Sequence, residues 1–208
     1  ALRAISLEHR RAPFDVLHAF WADEPGWVAA WAGRRLRIPV VTSLAGGELV
    51  GIRELGYGML LLPGRSRLIR WALDGATLIT AGSEYMLGLG RVFLPRSQWG
   101  KLRLAPLGVD PERFSPREGR QEQGKRIILN VGSLYPVKGQ AVLLRAFAAL
   151  DELPSVCLRI AGEGPLRRSL EALALELGIS DRVEFLGESN HTQMPEVYRE
   201  ADLFVQAS

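Results

Sequence analysis

The chain has 208 residues, of which 47% are hydrophobic, so it is long enough to form one large or two small domains with a sizeable core. A formal charge of +3 permits anionic ligands or a membrane surface but does not point to nucleic acid. The single cysteine, Cys157, excludes a disulfide framework, and no apolar run approaches the roughly 18 residues that a membrane-spanning helix needs. Without a signal-peptide pattern, a cytoplasmic protein is the expectation.

The first half of the chain alternates predicted strands with predicted helices. Apolar runs predict strands at residues 15–20, 40–44, 77–81 and 102–105. Helices are predicted within residues 1–12, 27–37 and 66–73, and Ser83 is placed to cap a fourth helix. Residues 51–64 are rich in glycine and predict a long loop with some helix. This alternation predicts βαβ units and a parallel sheet.

A change in composition separates the two halves of the chain. Residues 111–125 hold two prolines, two glycines, many charged residues and one aromatic residue, which is typical of a linker. We therefore predict an N-terminal domain at residues 1–114, a linker at residues 115–124 and a C-terminal domain at residues 125–208.

The second half restarts the alternation of strands and helices. Strands are predicted at residues 127–131, 156–161, 182–186 and 203–205. The most regular helix is predicted after Pro165, which suits the first helical position, and before Gly178, which suits the C-terminal cap. Its apolar stripe is formed by Leu166, Leu170, Leu173 and Leu177. Both halves therefore predict parallel α/β sheets.

Residues 127–150 combine a buried strand, a tight glycine loop and an amphipathic helix. Gly132 ends the strand, Pro136 disfavours a helix in the connection, and Lys138 and Gly139 are predicted to open the helix. Free backbone N–H groups, the positive end of the helix dipole and the lysine charge predict a phosphate-binding point. Taken alone, this unit also fits an ordinary strand–loop–helix with a solvated lysine.

Several predicted strands are followed by residues that are typical of ligand sites. In open parallel sheets, ligands bind beyond the carboxyl ends of the strands. The residues at these ends are His18, Gly46, Gly47, Glu48, Ser83, Gly132, Lys138, Gly162, Glu163, Gly164, Gly187, Glu188 and Ser189. Each alone is more often a turn or a structural residue, but their shared position at one end of two sheets predicts a cleft between domains. No His/Cys cluster or Asp-x-Asp pair indicates a metal site.

Two basic segments of the first half combine cations with aromatic residues. The first is the predicted helix that carries Arg65, Arg67, Arg70 and Trp71. The second contains Arg91, Arg96, Lys101 and Arg103 around Phe93 and Trp99. Such segments are compatible with peripheral contact to an anionic membrane, but they are more often a solvated basic face over a core.

Four stretches of the chain together form the pattern of a known family. They are APLGVDPERFSP at 105–116, ILNVGSLYPVKGQAVLLRAFAAL at 128–150, LRIAGEGPLRRSLEALALELGISDRVEFLG at 158–187 and MPEVYREADLFVQAS at 194–208. These stretches resemble the retaining, nucleotide-sugar-dependent glycosyltransferases of family 4 (glycosyltransferase group 1). The first half is looser, but DVLHAFWA and VVTSLAGGE fit that family's acceptor-side loops. The resemblance implies the GT-B fold, an α/β architecture of two Rossmann-like domains. Both are expected to be incomplete, because the family's first strand would precede Ala1 and its glutamate motif would follow Ser208.

The resemblance also implies roles for individual residues. Lys138 would hold the donor diphosphate, and His18 would lie by the transferred sugar, so these two are the implied catalytic residues. The implied nucleotide pocket consists of Gly132, Ser133, Lys138, Gly162, Glu163, Gly164, Gly187, Glu188 and Ser189. The implied acceptor side consists of His18, Gly46, Gly47 and Glu48. Two departures stand out: Ser133 replaces a usual arginine, and Gly46–Gly47 replaces a frequent His-Gly pair.

The function that the resemblance implies is a hexosyltransferase of carbohydrate biosynthesis. It would move a sugar from a UDP- or GDP-sugar to a sugar, lipid or polysaccharide acceptor, with retention of configuration and without a metal or other cofactor. We expect no nucleic-acid partner, a location in the cytoplasm or at the inner face of the membrane, and no activity from the 208-residue chain alone. A nucleotide-sugar epimerase of GT-B fold and a non-catalytic sugar-nucleotide-binding or membrane-surface module stay open as alternatives.

Overall fold

The computed structural model describes residues 1–116, 125–150 and 155–208. Within these residues the chain forms two compact units, Ala1–Gly108 and Val109–Ser208. Most of the predicted linker, residues 117–124, lies outside the described residues, so the predicted domain limits at 114 and 125 stay predictions.

The first unit is a parallel α/β sheet. Its strands are β1 (Leu17–Phe20), β2 (Val40–Leu44), β3 (Leu78–Ala81) and β4 (Leu102–Leu104), which lie side by side in chain order. Its helices are α1 (Leu2–Arg11), α2 (Glu24–Leu36), α3 (Arg65–Gly75) and α4 (Glu84–Phe93). Short 3₁₀ helices at Gly47–Leu49, Arg53–Leu55 and Met59–Leu61 form the long connection after β2. The predicted alternation of strands and helices is confirmed.

Local sequence explains where two helices of the first unit begin. The Ser83 hydroxyl accepts a hydrogen bond from the backbone N–H of Met86, so Ser83 caps α4 as predicted. Helix α2 begins at Glu24, three residues before the predicted start at 27, because Pro25 lies in the first turn and its fixed φ favours a helix. The core of this unit centres on Ile69, Leu73 and Ile79, all fully buried.

The second unit is also a parallel α/β sheet. Its strands are β5 (Arg126–Val131), β6 (Val156–Ala161), β7 (Val183–Gly187) and β8 (Leu203–Phe204), in the spatial order β7-β6-β5-β8. Its helices are α5 (Gln140–Ala148), α6 (Arg167–Glu176) and α7 (Met194–Arg199). The change of direction in the strand order puts β5 at the centre, where the loop after it lies between the connections of its neighbours.

Two predicted helix starts in the second unit are wrong by one or two residues. Lys138 belongs to a 3₁₀ helix, Pro136–Lys138, and Gly139 has a left-handed φ of +67°, so α5 begins only at Gln140. Pro165 lies in a turn in which the N–H of Arg167 donates to the carbonyl of Gly164, and α6 begins at Arg167. The predicted cap at the other end of α6 is confirmed, since Gly178 follows the helix with a φ of +68°.

The segment that precedes β5 is bound to the rest of the second unit. The ring of Phe114 packs edge-on against Tyr198, with ring centroids 6.0 Å apart. The guanidinium of Arg199 donates to the backbone carbonyls of Arg113 and Ser115. These contacts explain why residues 109–116 belong to the second compact unit.

Candidate functional site

A cavity of about 330 Å³ lies at the carboxyl ends of the strands of the second unit. Its lining residues come from the ends of β5 and β6 and from the segment after β7: Val131, Gly132, Ser133, Ala161, Gly162, Glu163, Glu188, Ser189 and Met194. Six of the residues predicted for a nucleotide pocket are among them. The chain therefore brings these residues together at the edge of the sheet where parallel α/β folds bind ligands.

The floor of this cavity is backbone. Gly162 has a φ of +142°, and a Cβ at this position would lie 2.0 Å from the carbonyl oxygen of Gly132. The N–H of Gly162 donates to the carbonyl of Gly187 at 2.7 Å, which joins the ends of β6 and β7. A side chain at position 162 would therefore push apart the two loops that form the floor.

Three of the predicted residues do not line the cavity. Gly187 and Gly164 are not among the lining residues, and a Cβ on Gly164 would meet the carbonyl of Leu134 at 2.6 Å. Lys138 lies beside the cavity, with its Cδ 3.9 Å from the point that a Cβ on Gly132 would occupy. In the part of the chain that the structure describes, Lys138 forms no ion pair, so its ammonium group is available to an anion.

The other charged groups near this cavity have partners or are acidic. The Glu163 carboxylate accepts a hydrogen bond from Arg167 at 3.0 Å. Arg167 also donates to Glu171 and to the carbonyl of Phe185, so its charge is already shared. Glu188 is exposed at the rim. Among the described side chains around this cavity, Lys138 is a cation without an ion-pair partner and can meet a bound phosphate.

Gln140 is a polar residue of this site that the sequence did not single out. It is 1% exposed, and its Nε2 donates to the carbonyl of Ser133 at 3.2 Å. This bond ties the first residue of α5 to the loop after β5. Its Oε1 is buried without a hydrogen-bond partner among the described residues. A glutamine at a helix start is usually exposed, so the sequence carried no signal for this contact.

A second cavity, of about 520 Å³, lies in the first unit beyond the ends of β1 and β2. Its lining residues are Trp21, Asp23, Gly47, Glu48, Gly56, Tyr57, Gly58, Met59, Leu61 and Leu62. Gly47 and Glu48 were predicted for an acceptor side, whereas His18 and Gly46 do not line this cavity. Trp21, Asp23 and Tyr57 were not predicted, because they come from loops without hydrophobic periodicity.

Glu48 shapes the loop that follows β2. Its side chain is buried, with 1% of the residue exposed. One carboxylate oxygen accepts from the N–H of Ala45 and the other from the N–H of Gly46, each at 2.8 Å. Both oxygens are therefore used by the backbone, and the carboxylate holds the loop in the way that a bound anion would.

His18 lies within β1 rather than at its end. It is the second of four residues, and its exposed ring packs on Phe20 with centroids 4.7 Å apart. Its Nε2 is 2.8 Å from the Ser43 hydroxyl, which in turn is 2.6 Å from the Thr80 hydroxyl. These hydrogen bonds connect β1, β2 and β3 on one face of the sheet.

Trp21 and Asp23 form one wall of the first-unit cavity. Trp21 has a φ of +70°, a conformation that is costly for a bulky residue, and its side chain stays half exposed. Asp23 precedes α2, and its Oδ1 is buried without a hydrogen-bond partner among the residues that the structure describes. Burial raises the pKa of the Asp23 carboxyl above its ordinary value, and the neighbouring charge of Glu24 adds to the rise.

Residues 1–116, 125–150 and 155–208 contain neither a metal-binding cluster nor a membrane-spanning helix. In these ranges no group of three or more His, Cys, Asp or Glu side chains could hold a metal ion. No helix in the same ranges combines the length and the apolar character that crossing a bilayer requires.

Comparison with known proteins places both halves of the chain in one class of enzymes. The model of Glycosyltransferase Family 4 matches residues 1–113, and the model of Glycosyl transferases group 1 matches residues 112–208. The alpha-monoglucosyldiacylglycerol synthase of Streptococcus pneumoniae is 26% identical over 208 residues, which cover 93% of this chain and 46% of that protein. The D-inositol 3-phosphate glycosyltransferase of Mycolicibacterium smegmatis is 31% identical over 215 residues, which cover 94% of this chain and 47% of that protein. The chain spans about half the length of these relatives.

A solved structure supports the same assignment at the level of the fold. The structure of Anabaena HepE in complex with UDP and glucose matches with a TM-score of 0.79 and 21% identity, over 99% of this chain and 55% of that chain. Its likeness, together with the two parallel sheets described above, shows the GT-B fold with each half partly covered. The chain therefore belongs to glycosyltransferase family 4, the group 1 glycosyltransferases.

Proposed function

We propose that the native protein containing this chain transfers a sugar from a nucleotide-sugar donor to an acceptor hydroxyl. The second unit binds the donor and the first unit binds the acceptor. The observation that carries this proposal is the cavity at the carboxyl ends of β5 and β6, which gathers six predicted nucleotide-site residues, with the unpaired Lys138 beside it. A UDP- or GDP-sugar is the proposed donor, in line with the UDP and glucose held by HepE.

The proposed chemistry depends on the charge that the leaving group acquires. The bond between the anomeric carbon and the donor phosphate breaks, a bond to the acceptor oxygen forms, and the acceptor proton passes to the leaving phosphate. Lys138 and the backbone N–H groups at the start of α5 stabilise the negative charge on that phosphate, so the proposed reaction needs no metal. Attack from the face that the phosphate leaves gives retention of configuration.

Ser133 supplies no charge to the proposed donor site, at a position where the family resemblance implies an arginine. A serine hydroxyl can donate one hydrogen bond to a phosphate, whereas an arginine would supply a charged, planar pair of donors. Lys138 therefore carries most of the electrostatic stabilisation, and Gln140 keeps the Ser133 carbonyl turned toward α5. His18 is proposed to contact the transferred sugar, with the Ser43 hydroxyl setting the orientation of its ring.

The test is an assay of the native full-length protein against a panel of UDP- and GDP-sugars. Release of nucleoside diphosphate that depends on an added acceptor hydroxyl, with a new glycoside detected by mass spectrometry, supports the transferase. Conversion of one nucleotide sugar into its epimer without an acceptor would support the epimerase instead. Nucleotide binding with neither product would point to the non-catalytic module.

We also propose that the first unit makes peripheral contact with an anionic membrane. The supporting observation is a groove of about 340 Å³ between α3 and the end of α4, lined by Arg67, Arg70, Trp71, Asp74, Phe93, Leu94 and Pro95. Arg67 and Arg70 are exposed and form no ion pair within the described residues. Sedimentation with vesicles that contain phosphatidylglycerol tests it: Arg67→Gln with Arg70→Gln should reduce binding, and the exposed control Arg53→Gln should not.

A further inference from the structure

The first-unit cavity differs from the donor-side cavity in the charges that surround it. Its ten described lining residues include two carboxylates, Asp23 and Glu48, and no lysine, arginine or histidine. Arg65 approaches Asp23, but its guanidinium is bound to Glu24. Glu48 is buried in the wall, so the two acidic side chains lie on the same cavity. The described lining therefore offers an anionic ligand two acidic groups and no cation to pair with.

The walls of the cavity are formed mainly by aromatic and aliphatic side chains. Trp21 is half exposed, and Tyr57, Met59, Leu61 and Leu62 also line the cavity. Leu62 is 48% exposed, so the apolar wall reaches the surface. Such a wall buries hydrocarbon and leaves a carboxylate to accept hydrogen bonds from hydroxyl groups.

The strained backbone of Trp21 fixes one side of this wall. The backbone N–H of Trp21 donates to the carbonyl of Ser43 at 2.9 Å. The residue with positive φ therefore comes directly after the last pair of residues that joins β1 to β2. This turn sends the chain into Asp23 and α2 and leaves the indole against the cavity. A bulky residue in a costly conformation is typical of a functional site, and here it lies near a carboxylate oxygen that has no hydrogen-bond partner within the described part of the chain.

We propose that this cavity selects an acceptor whose hydroxyl-bearing head is uncharged and is joined to an apolar group, as in an alkyl glycoside or a neutral glycolipid. Asp23 accepts a hydrogen bond from a head-group hydroxyl, and the ring of Trp21 packs on its C–H face. A phosphate on the head would face two acidic side chains, with no lysine, arginine or histidine among the described lining residues. The proposal rests on the proposed function, since it names the class of acceptor for that reaction. The proposed preference for an uncharged head differs from the phosphorylated compound in the name of one relative, the D-inositol 3-phosphate glycosyltransferase.

Three probes that differ in one property at a time test the selectivity of the wild-type protein. They are glucose, octyl glucoside below its micelle concentration, and glucose 6-phosphate, each titrated into the full-length protein with saturating UDP and followed by saturation-transfer NMR. Octyl glucoside should bind about tenfold or more tightly than glucose, because the tail buries apolar surface. Glucose 6-phosphate should bind most weakly. Equal or tighter binding of glucose 6-phosphate would overturn the proposal.

Two substitutions with matched controls locate the selectivity in this cavity. Asp23→Asn should weaken octyl glucoside binding about tenfold and reduce the difference between the affinities for octyl glucoside and glucose 6-phosphate. Glu54→Gln, which changes an exposed carboxylate on the connection after β2, should alter neither affinity. Trp21→Gly, which accepts a φ of +70° without strain, should also weaken octyl glucoside binding, in contrast to Trp31→Ala on α2.

The outcomes separate this proposal from the one on which it rests. Affinities of both variants equal to their controls would overturn the assignment of the cavity, while unchanged UDP affinity would leave the donor site intact. If the wild-type protein binds no nucleoside diphosphate and transfers no sugar, the proposed function fails first. Melting temperatures of all four variants identify any that unfold, and the wild-type probe series decides the charge preference without them.

Discussion

The two cavities of this chain are built in different ways. The cavity of the second unit has a backbone floor, in which Gly162 lies against the carbonyl of Gly132 and donates to Gly187. The cavity of the first unit has walls of side chains, from Trp21 to Leu62, with one buried carboxylate that holds the loop after β2. A backbone site suits a group that UDP- and GDP-sugars share, the diphosphate, whereas a side-chain site suits a ligand that differs between relatives.

The largest expected effect tests the backbone floor. Gly162→Ala places a Cβ 2.0 Å from the carbonyl oxygen of Gly132 at a φ that alanine rarely adopts. We expect a loss of about 2–5 kcal/mol in the free energy of unfolding, from strain and from displaced backbone, together with loss of nucleotide binding. Chemical denaturation and calorimetry with UDP measure the two effects.

A glycine in open space provides the control for this substitution. Gly82 also follows a strand, β3, but no atom lies within 4 Å of the position that its Cβ would take. Gly82→Ala should therefore change stability by less than about 1 kcal/mol. Equal effects of the two substitutions would show that the close approach at Gly162 is not what holds the floor together.

The next effect tests whether one lysine supplies the charge at the backbone site. Lys138→Ala should weaken nucleoside diphosphate binding by roughly ten- to a hundredfold, the loss of a charge-assisted contact worth about 1.5–3 kcal/mol. The melting temperature should hardly change, because Lys138 forms no ion pair among the described residues. Lys125→Ala removes an exposed lysine just before the start of β5 and should leave the affinity unchanged. A nucleotide affinity that survives Lys138→Ala would contradict the donor assignment.

A smaller effect tests the buried carboxylate of the side-chain site. Glu48→Gln keeps the shape of the side chain but replaces one acceptor oxygen by an NH₂ group, which faces the N–H of Ala45 or Gly46. The lost hydrogen bond and the donor–donor contact should lower the unfolding free energy by about 1–3 kcal/mol. Acceptor turnover should fall while UDP affinity stays the same. If UDP affinity fell as well, the two cavities would not act independently.

The contrast between the cavities also explains what the sequence could predict. The backbone site follows strands with clear apolar runs, so its glycines and Lys138 could be placed beside one another from chain order and parallel pairing alone. The sequence does not predict the contact of the buried Gln140 with the Ser133 carbonyl. This contact depends on where α5 begins, which is two residues after the predicted start at Lys138.

The side-chain site was predicted less completely, for physical reasons. Residues 51–64 contain two short 3₁₀ helices, and this segment lacks a regular apolar period. The sequence therefore does not predict that Tyr57 and Leu62 line the same cavity as Asp23. The positive φ of Trp21 also has no signal in the sequence, because residues other than glycine rarely adopt it. Glu48 was placed on the acceptor side, but its role in holding the loop depends on two N–H groups that only the folded turn brings together.

The smallest expected effect concerns His18, which lies on the sheet face and outside the described lining of both cavities. Its ring is exposed, so His18→Ala removes little buried surface and should shift the melting temperature by no more than about 2 °C. If the ring contacts the transferred sugar, turnover should fall about tenfold, because one hydrogen bond is lost in the transition state.

Ser43→Ala leaves the ring in place but removes the hydroxyl that lies 2.8 Å from the Nε2 of His18. It should therefore lower turnover less than His18→Ala does, by about threefold. Steady-state kinetics measure the fall in turnover of each variant, and thermal melts measure the change in melting temperature. A large drop in melting temperature with unchanged turnover would make His18 a structural bridge between β1 and β2, and the first unit would then act through its cavity alone.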